Sequence, residues 1–167
     1  LLTELRQAVA QGEFVLHYQP QHDLTTGRLI GCEALLRWQH PRKGLQPPAR
    51  FMRRAEEGGL LPTLAYLALD AACSQHARWR LAGHAPGRIS VNVSDAQFRH
   101  PDWIEAVSAT LARHEMPPGA LEIELSVEER RAIELRVCEE ALAQAEARGA
   151  GGPLAWAAGE GWHAGVV

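Results

Sequence analysis

Apolar positions along this chain change their period several times, and each change marks an element. Leu2, Leu5 and Val9 recur at helical spacing, and Gly12 follows as a stop signal. Phe14-Val15-Leu16-His17-Tyr18-Gln19-Pro20 is a short strand-forming run, and its proline predicts that the strand closes there. Asp23-Leu24-Thr25-Thr26-Gly27 carries hairpin-turn chemistry. Residues 29–38 form the most apolar short run, bounded by turn signals on both sides, and predict the central strand. Residues 42–48 read as a Gly/Pro loop, 49–57 as a short helix before Gly58-Gly59, and 62–81 as a longer helix. A third strand is predicted over 88–94, a helix over 103–114 stopped by Pro117-Pro118-Gly119, and a fourth strand over 121–125. Residues 128–148 predict a helix rich in Glu, Ala, Leu and Arg, and 149–167 have little periodicity.

After the opening hairpin, strands alternate with helices. That order predicts an α/β fold with a parallel sheet and helical crossovers. In such folds the site forms at the carboxyl ends of the strands. Alternate residues of a strand share a face. Glu33, Leu35 and Arg37 therefore point together, opposite Cys32, Ala34 and Leu36. An acid, an apolar contact and a guanidinium in that order suit a divalent metal, a flat base and a phosphate. A buried Glu33–Arg37 ion pair would explain the same pattern. Asn92 and Glu124 fall in two further strands and bring more oxygen donors to the same end of the sheet.

Composition narrows the function. The 167 residues fit one domain, and 46% hydrophobic content is enough for a core. A net charge of −3 gives no basic footprint, which excludes long nucleic acid as the expected partner. Cys32, Cys73 and Cys138 are odd in number and widely spaced, so neither a disulfide framework nor a structural zinc site is expected. With no leader pattern and no apolar run of about 18 residues, the expected place is the cytoplasm, or the cytoplasmic part of a membrane-bound parent. The eight histidines are scattered, and none is assigned a catalytic role.

Five stretches, in order, then carry a family likeness. Glu33-Ala34-Leu35-Leu36-Arg37-Trp38 resembles the signature that names the EAL domain, the bacterial cyclic di-GMP phosphodiesterase family. The 14–20 run resembles that family's opening strand. Pro48-Ala49-Arg50-Phe51 through Ala55-Glu56-Glu57-Gly58-Gly59-Leu60 resembles its P-x-x-F…AE-x-x-G-L segment. Val91-Asn92-Val93-Ser94 with Gln97-Phe98 resembles its VN-x-S…Q segment, and Leu121 to Ser126 its E-(I/L)-T-E strand. The resemblance implies a partial or modified (β/α)8 TIM-type barrel, a fold that in full needs about 250 residues. It divides the chain into an EAL-like part, 1–148, and a divergent tail, 149–167, where the family has its DDFG region. It implies Glu33, Asn92 and Glu124 as ligands of Mg2+ or Mn2+, with Glu33 and Glu124 in the catalytic centre. It implies Gln19, Leu35 and Arg37 as substrate contacts: a groove residue, a guanine wall and a phosphate anchor.

The chain also departs from the family pattern. The family's paired aspartates belong in the region that here reads Leu154 to Trp162, and no aspartate follows Asp102. The single lysine, Lys43, lies in the loop after the second strand, so it cannot serve as the family's later-strand lysine. Val127 stands where a second glutamate is usual. The implied function is an EAL signalling protein of cyclic di-GMP turnover, resembling enzymes that hydrolyse cyclic di-GMP to linear pGpG, with weak or no activity in this chain. A non-catalytic cyclic di-GMP receptor or a protein-interaction module is the alternative. Implied partners are cyclic di-GMP and an upstream sensor or GGDEF domain in a parent protein; an open sheet edge separately predicts self-association with a second copy of the chain.

Overall fold

In the computed structural model, residues 2–125 are described. The expected helix over 128–148 and the tail 149–167 lie outside them, as do Val127 and the Leu154–Trp162 region.

The described elements are α1 (Leu2–Ala10), β1 (Phe14–His22), β2 (Leu29–His40), β3 (Gly44–Gln46), α2 (Met52–Glu57), α3 (Leu61–Leu81), β4 (Arg88–Asn92), α4 (Asp95–Phe98), α5 (Trp103–Arg113) and β5 (Leu121–Glu124). Single 3-10 turns precede α2 and β5. The sheet runs β1-β2-β4-β5, with β3 paired to β2. β1 and β3 are antiparallel to β2, while β2, β4 and β5 are mutually parallel. This is the α/β architecture that the element order predicts, with the partial sheet that the resemblance implies.

One face of the sheet is apolar. Cys32 and Ala34 of β2 and Ile89 and Val91 of β4 pack on Ala65, Ala68, Leu69, Ala72 and Cys73 of α3 and on Trp103 of α5. The α3 residues recur at helical spacing, so they form one stripe along the helix. Small alanines in that stripe let the helix lie close to the sheet. Fully burying a residue such as Leu69 or Ile89 contributes about 1.5–3 kcal/mol. A second cluster joins Leu5 and Ala8 of α1 to Phe14, Trp38, Phe51, Ala55 and Leu64. The expected packing roles of two tryptophans are visible here. Trp38 lies among Phe14 and Phe51, and Trp79 packs edge-on against Tyr18 at 4.8 Å. α3 ends where the His84 amide donates to the Trp79 carbonyl and the Gly83 amide to the Arg80 carbonyl, with Gly83 at φ +82°. That is a Schellman cap.

Four sequence expectations change. β1 does not close at Pro20 but runs on to His22. Pro20 stands opposite Cys32 in the register, while the Gln39 amide bonds the Glu13 carbonyl. Hydrogen-bonded pairs alternate along an antiparallel ladder. Odd residues of β2 therefore bond β1, and Pro20 falls at a position whose missing N–H faces away from β2. A proline at that position of an outer strand breaks no ladder bond. The 42–48 loop contains β3, and residues after β4 form α4. The third strand ends at Asn92 rather than at Ser94.

His76 fixes the approach to β4. It is buried on α3, and its Nε2 lies 3.2 Å from the Gly87 carbonyl, so it donates as the neutral Nε2–H tautomer. Burial lowers its pKa from 6.5, and the nearby Arg80 charge adds to this, against the Gly87 hydrogen bond. The unfolded chain therefore binds the proton first as pH falls. Stability is full above the unfolded value and declines below it. The urea midpoint should fall between about pH 7.5 and pH 5.5, and His76→Gln should flatten that decline. An equal decline in the variant would show that His76 is not its source.

Candidate functional site

The face opposite the apolar one carries the polar residues. Glu33 pairs with Gln19 of β1 on one side and with Ser90 of β4 on the other. Asn92 is one pleat further along β4, on the same face as Ser90. Glu124 stands beside Asn92 in the β4–β5 register, and the ladder extends by a bond from the Val93 amide to the Glu124 carbonyl, 2.9 Å. Gln19, Glu33, Asn92 and Glu124 thus share one face across four neighbouring strands, with Asn92 and Glu124 one pleat beyond the level of Gln19 and Glu33.

Glu33 and Asn92 touch. The Asn92 Nδ2 donates to Glu33 Oε1 at 2.7 Å, 59 residues apart in sequence. A short bond from an amide to a carboxylate is charge-assisted. Glu33 and Glu124 are half-buried, whereas Asn92 and Gln19 are exposed. Three hard oxygen-bearing groups on adjacent strands match the needs of Mg2+ or Mn2+, which take carboxylate and carbonyl oxygens. Turning the Asn92 amide would present its Oδ1 to an ion beside Glu33. Among the described residues no group of three or more His, Cys, Asp or Glu could hold a metal, so the donor set depends on this asparagine. The residues fit a single hard cation with much of its coordination left open.

Beyond the carboxyl end of β4, β2 continues over residues 35–37 with only β1 beside it. β4 pairs with Gly31–Ala34 and β3 with Trp38–His40, and both lie on the side of β2 away from β1. Leu35, Leu36 and Arg37 span the interval between them. Even residues of β2 turn their backbone groups to this side, so the Leu36 carbonyl opens into the gap. Arg37 Nη1 donates to it at 2.8 Å. The guanidinium is thereby held beside this gap with further N–H donors to spare. Arg37 makes no salt bridge with Glu33, so the alternative explanation of the Glu33/Arg37 pattern, a buried ion pair, does not hold. Leu35 lies between the two in sequence and on their face, half-buried. Lys43 lies exposed between β2 and β3, as expected.

One residue of this region had no role in the sequence reading. Gln97 is buried, and its Oε1 accepts from the Ser94 amide at 3.2 Å and from Ser94 Oγ at 2.9 Å. Its Nε2 donates to the Leu61 carbonyl. The Ser94-x-x-Gln97 spacing is the signal that marks it, because that spacing is a capping box at a helix start.

Comparisons with known proteins bear on the fold and the family. The family model for the EAL domain matches residues 2–151. The bifunctional diguanylate cyclase/cyclic di-GMP phosphodiesterase MucR of Pseudomonas aeruginosa is 43% identical over 126 residues, covering 75% of this chain and 18% of that protein. A solved structure of that phosphodiesterase, in complex with cyclic di-GMP, superimposes with a TM-score of 0.69 over 73% of this chain and 49% of its own. The FimX EAL domain of Xanthomonas citri, solved in complex with cyclic di-GMP, gives a TM-score of 0.71 at 27% identity, covering 87% of this chain and 56% of its own. The chain therefore spans about half of these solved chains and a smaller share of the full-length relative. It belongs to the EAL domain family.

Proposed function

We propose that this chain forms the strand-end half of a cyclic di-GMP site and binds the dinucleotide with slow or no turnover. The observation that carries the reading is the Asn92–Glu33 contact across β4 and β2, next to a stretch of β2 that ends in an anchored Arg37. Glu33, Asn92 and Glu124 would hold Mg2+ or Mn2+; family members depend in general on a divalent metal. Such an ion supplies charge stabilisation at a phosphodiester and an activated water. The chain's own residues do the binding. Arg37 grips a phosphate, Leu35 offers an apolar wall to a guanine, and Gln19 donates or accepts across the groove beside Glu33. Glu33 and Glu124 are the groups that would act in hydrolysis. Within these 167 residues no aspartate follows Asp102, so the paired aspartates that the family resemblance implies for a second ion are not supplied by them.

In this reading residues 1–148 are the EAL-like part and 149–167 a divergent tail. β1 stands at the end of the described sheet order, and such an edge can recruit a second copy. Light scattering tests that part, and a monomer would remove it. Among the described residues no helix is long and apolar enough to cross a membrane.

The central test is a cyclic di-GMP titration with and without Mg2+ or Mn2+, followed by an assay for linear pGpG. Binding that tightens with metal and yields little product is expected. Fast product release would replace the receptor reading with an enzyme. No binding in either condition would leave a protein-contact module.

A further inference from the structure

We infer that Gln97 is a positioning residue that sets the aim of Asn92. The inference rests on the reading of Asn92 as a ligand-facing residue in the proposed function. Asn92 is the last residue of β4 and its side chain is exposed, so nothing on its own strand orients it beyond that end. The next two residues, Val93 and Ser94, are pinned from two sides. The Val93 amide is tied to β5 through the Glu124 carbonyl, and Ser94 is tied to Gln97 through both its amide and its hydroxyl. Gln97 in turn donates to the Leu61 carbonyl at the start of α3, 36 residues away in sequence. α3 begins with Pro62 in its first turn and packs along the apolar face of the same sheet. The Leu61 bond therefore references the end of β4 to the helix layer behind it.

Both ends of the Gln97 amide are used, and the residue is only 7% exposed. A neutral side chain that accepts twice and donates once is required here. An alanine provides none of these bonds. A glutamate keeps the acceptor for Ser94 and loses the donor to Leu61. Removing the tether leaves Ser94 held only by its carbonyl, which accepts from the Gln97 and Phe98 amides, and so loosens the backbone two residues from Asn92. The Asn92 amide then loses its fixed approach to Glu33 Oε1.

The test compares wild type, Gln97→Ala and Gln97→Glu by two readouts. One is the pair of Asn92 side-chain amide signals in nitrogen-15 NMR without metal. The other is Mn2+ uptake followed by electron paramagnetic resonance. The Asn92 signals should be well separated in wild type and collapse toward exposed-amide positions in Gln97→Ala. Mn2+ affinity should drop about tenfold, the low end for groups that orient a metal ligand. In an Asn92→Ala background, adding Gln97→Ala should leave the remaining Mn2+ affinity unchanged, because Gln97 acts through Asn92. Where Gln97→Ala fails to fold, Gln97→Glu carries the same comparison. Unaltered Asn92 signals, or the same further loss in the Asn92→Ala background, would overturn the inference. If wild type takes up no Mn2+, the metal reading of Asn92 falls and the metal-free signals alone decide the role of Gln97.

Discussion

Arg37→Ala should weaken cyclic di-GMP binding by about 1.5–3 kcal/mol, roughly ten- to hundredfold, the range for hydrogen bonds to a charged group. The size follows from how the guanidinium is held. Its Nη1 is committed to the Leu36 carbonyl at 2.8 Å, in the interval where β2 has neither β4 nor β3 beside it. That bond fixes the plane of the group before any ligand arrives. Its other donors have no partner among the described residues, and a planar fork can grip a phosphate bidentately. Alanine removes the grip and also leaves the Leu36 carbonyl without its partner. Arg37→Lys separates the two effects. An ammonium keeps the charge but cannot both bond the Leu36 carbonyl and present a fork, so an intermediate loss is expected. Calorimetric titration at low and high salt would measure both variants. An Arg37→Ala affinity equal to wild type would take Arg37 out of the site.

The shared face of the candidate site residues was readable because strand period is a simple rule. Glu33, Leu35 and Arg37 share a face by alternation, and the parallel register then brings Asn92 and Glu124 to that same face. The features that the sequence did not reveal depend on partners distant in the chain. Pro20 looks like a strand end until β1 is known to be the outer strand, with Pro20 opposite a residue that bonds the other way. β3 and α4 span three and four residues, too few to express any period. The Arg37–Leu36 bond exists because two strands leave a gap between them, and no local pattern encodes a gap. Gln97 is the intermediate case. Its capping box is written locally, but its bond to Leu61 comes from the packing of α3 behind the sheet.

The largest stability effect is expected at Gly87, just before β4. Gly87 has φ +70°, and an added Cβ would lie 2.2 Å from the Ile30 carbonyl oxygen and 2.6 Å from its carbon. Both are backbone atoms of β2, so no side chain can swing away. An L-residue there meets the left-handed penalty of about 1–2 kcal/mol and must also push β4 off β2. Gly83 is the matched control, with φ +82° and nothing within 4 Å of an added Cβ. Gly83→Ala should therefore cost about 1 kcal/mol from backbone strain alone. Gly87→Ala should cost more than about 3 kcal/mol, toward the upper range of single substitutions. The displacement would carry further, because β4 brings Asn92 to Glu33 only while its register holds from Gly31↔Arg88 onward. Gly87→Ala should thus lower ligand affinity even under conditions where it is folded, whereas Gly83→Ala should not. Urea unfolding of the two variants beside a cyclic di-GMP titration would decide the matter. Equal stability losses at the two glycines would mean that β2 and β4 can separate at that point without cost, and that the register is held elsewhere.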